Sequence, residues 1–100
     1  MAGDTYTSAR KVLRVLKALK GRTLTGISNK ELCAQLSLPP SAVTLSVDTL
    51  IAEGLAQRLP DGRFALSIAA LQIAQSHANE MERAMAHIQE TNARIAAGAR

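Results

Sequence analysis

The sequence has no tryptophan, and its only aromatic side chains are Tyr6 and Phe64, so any core must be built from small and aliphatic residues. Its single cysteine, Cys33, excludes an intrachain disulfide framework and a multi-cysteine zinc site, which suits a reducing cytosol. No uncharged apolar run is long enough for a signal peptide or a membrane span, and the start, Met1-Ala2-Gly3-Asp4, lacks a basic flank. A cytoplasmic protein without membrane contact is therefore expected. At 100 residues there is room for one small domain and one extended element, which excludes a multidomain enzyme. His77 and His87 lie ten residues apart on a continuous helix, about 15 Å along its axis, and no second ligand pair accompanies them. No Ser/His/Asp or Cys/His set and no glycine-rich phosphate loop can be assembled, so neither enzyme activity, a metal nor a cofactor is expected.

Acid is scarce at the front of the chain. Among the first thirty residues Asp4 is the only carboxylate, against Arg10, Lys11, Arg14, Lys17, Lys20, Arg22 and Lys30. The net charge of +4 and a pI near 9.8 favour a polyanionic partner without identifying one. A mean hydropathy of +0.04 is too apolar for a disordered chain.

Residues 1–7 carry no period and read as a flexible arm. From Ser8, the expected N-cap, Val12, Val15, Leu16 and Leu19 recur at helical spacing, while Arg10, Arg14 and Lys17 form a cationic stripe on the opposite side. Gly21 to Gly26 breaks this helix. Ser28-Asn29-Lys30-Glu31 has capping-box spacing and starts a second helix whose inner face is Leu32 and Leu36, with Cys33 read as a buried small hydrophobe. Pro39-Pro40 stops it, because neither ring can donate an amide to a continuing helix. A third helix follows with Ser41 as the expected N-cap. Its buried row is Val43, Val47 and Leu50, and its outward row is Ser41, Leu45, Asp48 and Ala52, flanked by Thr44 and Thr49. Leu55 to Leu59 then alternates, Pro60-Asp61-Gly62 turns, and Arg63 to Leu66 alternates again with Phe64 and Leu66 on one face. This small hairpin carries Arg58 and Arg63 outward beside its turn.

Between Ser67 and Ala97 there is neither proline nor glycine, and the pattern becomes heptad. Leu71, Ala78, Met85 and Asn92 occupy one repeating position, and Ala74, Met81, Ile88 and Ile95 the other. The seam is too narrow to wrap a globular core and wants a second helix, with Asn92 as the polar residue that sets register. Ile68 and Ile73 lie off the seam and are expected to dock the start of this helix onto the preceding domain. The fold class is thus mainly α with a small β-hairpin: a domain over residues 8–66, then a C-terminal helix over 67–100 that serves as a dimerisation coiled coil.

The order helix, helix, short turn, helix, two-stranded wing is that of a winged helix-turn-helix. Within it, Ser8-Ala9-Arg10-Lys11-Val12-Leu13-Arg14-Val15-Leu16 resembles the first helix of the IclR-type DNA-binding domain. Leu36-Ser37-Leu38-Pro39-Pro40-Ser41-Ala42-Val43 resembles that family's turn into its recognition helix. Thr49-Leu50-Ile51-Ala52-Glu53-Gly54-Leu55 and Pro60-Asp61-Gly62-Arg63-Phe64-Ala65-Leu66 are similar to its helix end and wing. The resemblance covers roughly residues 8–70 and implies a bacterial or bacteriophage transcription regulator, here standing alone without the family's effector domain, whose third helix enters the major groove of double-stranded DNA.

On that reading Arg10, Arg14 and Lys17, together with Arg58 and Arg63 of the wing, contact phosphates, and Ser41 and Thr44 assist at the start of the third helix. The outward row of that helix holds no Arg, Lys, Asn or Gln, so base readout rests on Thr44 and Thr49, and on Leu45 or Ala42 against a thymine methyl. The expected partner is thus duplex DNA, bound by a homodimer. Two alternatives stay open: an adaptor whose Leu45, Asp48 and Ala52 row meets a protein, and an architectural DNA binder without sequence preference.

Overall fold

The computed structural model describes residues 3–99, so Met1, Ala2 and Arg100, at the ends of the expected arm and C-terminal helix, lie outside it. It contains α1 (Thr7–Ala18), α2 (Asn29–Leu36), α3 (Pro40–Ala52), β1 (Ala56–Arg58), β2 (Phe64–Leu66) and α4 (Ile68–Gly98). Two compact units divide the chain between Ala70 and Leu71. None of the helices is long and apolar enough to cross a membrane, among the described residues.

In the first unit, α1 packs chiefly on α3, and both touch α2. Val15 and Leu19 of α1, Leu32 of α2, Val43, Val47 and Leu50 of α3, and Phe64 of β2 belong to one hydrophobic cluster. The row expected on α3 is the buried row found, whereas in α1 Val15 and Leu19 are buried and Val12 and Leu16 half-buried. Ser46 joins them, 3% exposed, on the side of α3 that meets α1. Leu36 and Cys33 are only partly buried.

Helix starts differ from expectation where the cap is not a side chain. The first helical residue is Thr7, and Tyr6 in the N-cap position makes no side-chain cap. α3 begins at Pro40 itself, with Pro39 rather than Ser41 as N-cap. A proline in the first helical position loses nothing, since that amide has no intrahelical acceptor, and its fixed φ already suits the helix. Around Ser28 the expected box is complete: its hydroxyl accepts from the Glu31 amide at 3.1 Å, and the Glu31 carboxylate accepts from the Ser28 amide at 3.2 Å. The sharp turn from α2 to α3 is made by Ser37, held in the left-handed region at φ 54°.

β1 and β2 pair antiparallel in the register Ala56 with Leu66, Gln57 with Ala65 and Arg58 with Phe64. A third segment joins them that the alternation did not reveal: the Ile27 amide donates to the Phe64 carbonyl and the Phe64 amide to the Ile27 carbonyl, each at 2.9 Å. Both faces of β2 are covered, so Phe64 and Ala65 are buried while Leu66 is half-buried.

α4 starts after Ser67, whose hydroxyl accepts from the Ala70 amide at 3.1 Å and donates to the Gly54 carbonyl at 2.6 Å. No residue of α4 is buried. Ile68 and Ile73, expected to dock, are 70% and 65% exposed. Leu71, Met81, Met85, Ile88 and Ile95 of the seam are exposed as well.

Candidate nucleic-acid interface

α3 presents one face to solvent because its other face is spent on the core. Ser41, Leu45, Asp48 and Ala52 lie along the exposed side, with Thr44 on the flank toward α2 and Ala42 and Thr49 on the flank toward α1. Leu45, at the centre, is 70% exposed. The Thr49 hydroxyl donates to the Leu45 carbonyl at 2.8 Å, one turn back along the same helix. The Thr44 hydroxyl accepts from the Asn29 amide nitrogen at 3.1 Å, and Asn29 in turn accepts from the Cys33 thiol at 3.3 Å. Cys33 is therefore a link in a chain that ties α2 to α3.

Beside this face runs an open groove of about 600 Å³ between the start of α1 and α3, whose walls include Tyr6, Ala9, Lys11, Ala42, Leu45 and Thr49. Of the expected site residues, Ser41, Ala42, Leu45 and Thr49 come together here. Tyr6 and Lys11 join them without having been singled out. Lys11 lies off the Arg10, Arg14, Lys17 stripe, and its position against α3 follows only from how α1 crosses that helix.

The cationic stripe of α1 is divided in use. Arg14 donates through Nη2 to the Leu36 carbonyl at 2.8 Å, so it caps the last turn of α2. Arg14 and Lys17 line a second recess with Lys20, Gln35 and Leu36 at that helix end, apart from the groove. Arg10 and Lys17 are exposed and have no acidic partner among the described residues. In the wing, the Arg58 guanidinium lies over the Phe64 ring at 4.8 Å from its centre, and the Asp61 carboxylate accepts from the Arg63 amide at 3.0 Å. The first contact fixes the Arg58 stem against the sheet while leaving its charge at the surface. Both wing arginines are exposed.

Glu31 is tied into the frame at the start of α2. The Ser28 backbone amide, then the Ser28 hydroxyl, hold its carboxyl below the usual range, with smaller help from Arg63 and Arg22. The Arg22 contact is loose, at 3.8 Å. Glu31 therefore serves the start of α2.

Residues 8–60 match the model of the IclR helix-turn-helix domain. The crystal structure of HmgR from Pseudomonas aeruginosa is similar to this chain with a TM-score of 0.65 and 26% identity, over 77% of this chain and 33% of HmgR. A variant of ZitR from Lactococcus lactis aligns over 90% of this chain and 63% of its own, at 19% identity and a TM-score of 0.49. No curated protein matches the sequence. This chain thus spans a third of the length of HmgR. Because the family match takes in more than half of the chain, from the start of α1 into the wing, the chain belongs to the family of IclR helix-turn-helix domains, a DNA-binding class.

Proposed function

We propose that the chain is a transcription regulator that binds duplex DNA with α3 in the major groove and does so as a homodimer joined along α4. The observation that carries this is the exposed face of α3 within an IclR helix-turn-helix domain, accompanied by exposed cations that form no salt bridge among the described residues: Arg10 and Lys17 on α1, Arg58 and Arg63 on the wing. These four serve phosphates, while Arg14 divides its role with the end of α2. Ser41 and Thr44 add hydroxyls near the start of α3. The seam from Leu71 to Ile95, exposed at every position, supports pairing of two copies, which doubles the positive field and presents two half-sites about 34 Å apart or a multiple of it.

Titration of a labelled duplex pool at several salt concentrations tests the reading. Each neutralised phosphate contributes a slope of about −0.9 in log affinity against log salt. Replacing Arg10 and Lys17 by Glu is expected to abolish binding at moderate salt with helicity unchanged, and retained affinity would take α1 out of the interface. A second reading is favoured by Leu45 and Asp48 alone, an apolar and acidic pair that would suit a protein partner. A chain that ignores duplex DNA even at low salt would establish that adaptor role instead, and binding without sequence preference would mark an architectural protein.

A further inference from the structure

The face that α3 turns outward lacks the side chains that read bases by paired hydrogen bonds, and the structure removes more of its polar capacity. The only proton of the Thr49 hydroxyl is committed to the Leu45 carbonyl, which leaves that oxygen able only to accept, beside the side chain's methyl. Thr44 is held from the side by Asn29, so its hydroxyl is already one partner along. What stands free at the centre is Leu45, with the Asp48 carboxylate three residues on and Ala42 and Thr49 beside it.

We infer that α3 reads the methyl-bearing edge of pyrimidines, Leu45 packing on a C5 methyl group and Asp48 accepting from an exocyclic amine next to it. The inference rests on the DNA-binding reading above and names what that site recognises. An ionised carboxylate only accepts hydrogen bonds, so Asp48 suits the N4 amine of cytosine or the N6 amine of adenine and opposes the two acceptors of guanine and the O4 of thymine. Leu45 finds a matching apolar group in the major groove only where a pyrimidine carries a C5 methyl, as thymine does. Residues three apart on a helix sit one above the other with Cβ atoms ~5–6 Å apart. Successive bases rise by only ~3.4 Å, so the pair addresses one base pair or two neighbours. Thymine followed by cytosine satisfies both residues. So does a single 5-methylcytosine, which offers the methyl and the amine on one ring, whereas unmodified cytosine satisfies Asp48 alone. The face is consequently sensitive to cytosine methylation as well as to sequence.

The test starts from duplexes selected by the full chain out of a random pool. The preferred duplex is then resynthesised with uracil in place of every thymine, which deletes the C5 methyl and keeps every hydrogen-bonding group, and separately with 5-methylcytosine in place of every cytosine. Each contacted methyl lost is expected to weaken binding about fourfold, the effect of exposing one buried carbon. Leu45→Ala, at an exposed position that does not threaten the fold, should make thymine and uracil duplexes equivalent. Asp48→Ala should instead erase the preference for cytosine over guanine at the adjoining position and leave the uracil effect intact. Equal affinity of the wild-type chain for the thymine and uracil duplexes overturns the inference while leaving DNA binding standing, as does a uracil effect that persists in Leu45→Ala, because a change in duplex shape would then explain it. Failure to bind any duplex at low salt overturns the DNA-binding reading itself.

Discussion

The winged domain and α4 are written in the same small aliphatic alphabet and put it to opposite uses. Val15, Leu19 and Leu32 are 0% exposed in the domain, whereas Met85 and Ile95 of α4 are 61% and 64% exposed. The difference is one of width. Helices α1, α2 and α3 each carry a broad apolar face and close on a common centre with β2, so burial is complete within one chain. α4 carries a stripe two positions wide in seven, which a second helix can cover and a globular core cannot. Hydrophobicity alone therefore does not tell a face that is buried within one chain from one that stays exposed, but the breadth of the face does.

The largest effect expected follows directly from that contrast. Replacing Met81 and Ile88 by Lys places charge in the seam and should weaken self-association by at least ~100-fold, read by sedimentation, with the thermal transition of the winged domain unchanged. A mass that stays the same before and after substitution would show that the seam does not join two copies.

Gly26→Ala should do the reverse, damaging the domain and sparing association. Gly26 sits at φ +73°, and a methyl there would lie 2.7 Å from the Arg63 Cβ and 3.2 Å from the Phe64 carbonyl oxygen. Neither neighbour is the free end of a side chain, so the cost is about 2–3 kcal/mol in denaturant unfolding. A loss well below 1 kcal/mol would show that Arg63 and Phe64 yield around the added methyl.

Arg10 and Arg14 lie one turn apart and sharpen the comparison within α1. Arg14→Gln should lower stability by about 1 kcal/mol because the Leu36 carbonyl loses its charged donor, while Arg10→Gln should leave stability unchanged and weaken DNA binding. Equal stability of the two variants would show that the bond to Leu36 does not cap α2.

Features that depend on near neighbours were legible in the sequence, and those made across the fold were not. The Ser28 to Glu31 box, the buried row Val43, Val47 and Leu50, and the unbroken α4 each follow from spacing along one element. The spacing marks Pro40 only as a breaker, whereas α2 ends at Leu36 with Ser37 in the left-handed region and Pro40 opens α3. Ile27 pairs with Phe64, far along the chain, through backbone atoms that no side-chain pattern reports. The bond from Arg14 to Leu36 and the Asn29 to Thr44 contact have the same character. At the candidate interface the outward row of α3 was visible from its period, whereas the place of Tyr6 and Lys11 in the neighbouring groove depends on a crossing of helices that the sequence does not display.

The smallest effect concerns acid. Glu31 is held below its ordinary value near 4.5 chiefly by the Ser28 backbone amide, so the folded state keeps the carboxylate ionised where the unfolded chain has begun to take up a proton. Its contribution to stability is present in full above the unfolded value and is lost as pH falls through the lower, folded one. The loss is small because the group is exposed and water screens it. It is also confined to one region: the domain's unfolding midpoint should fall below about pH 4.5, and Glu31→Gln, whose amide oxygen can still accept from Ser28, should flatten that part of the profile. Helicity of α4 has no stake in Ser28, so its own response to acid should be identical in the two proteins. A Gln variant that retains the full acid slope would transfer the effect to another carboxylate and leave the capping box without a charge-dependent part.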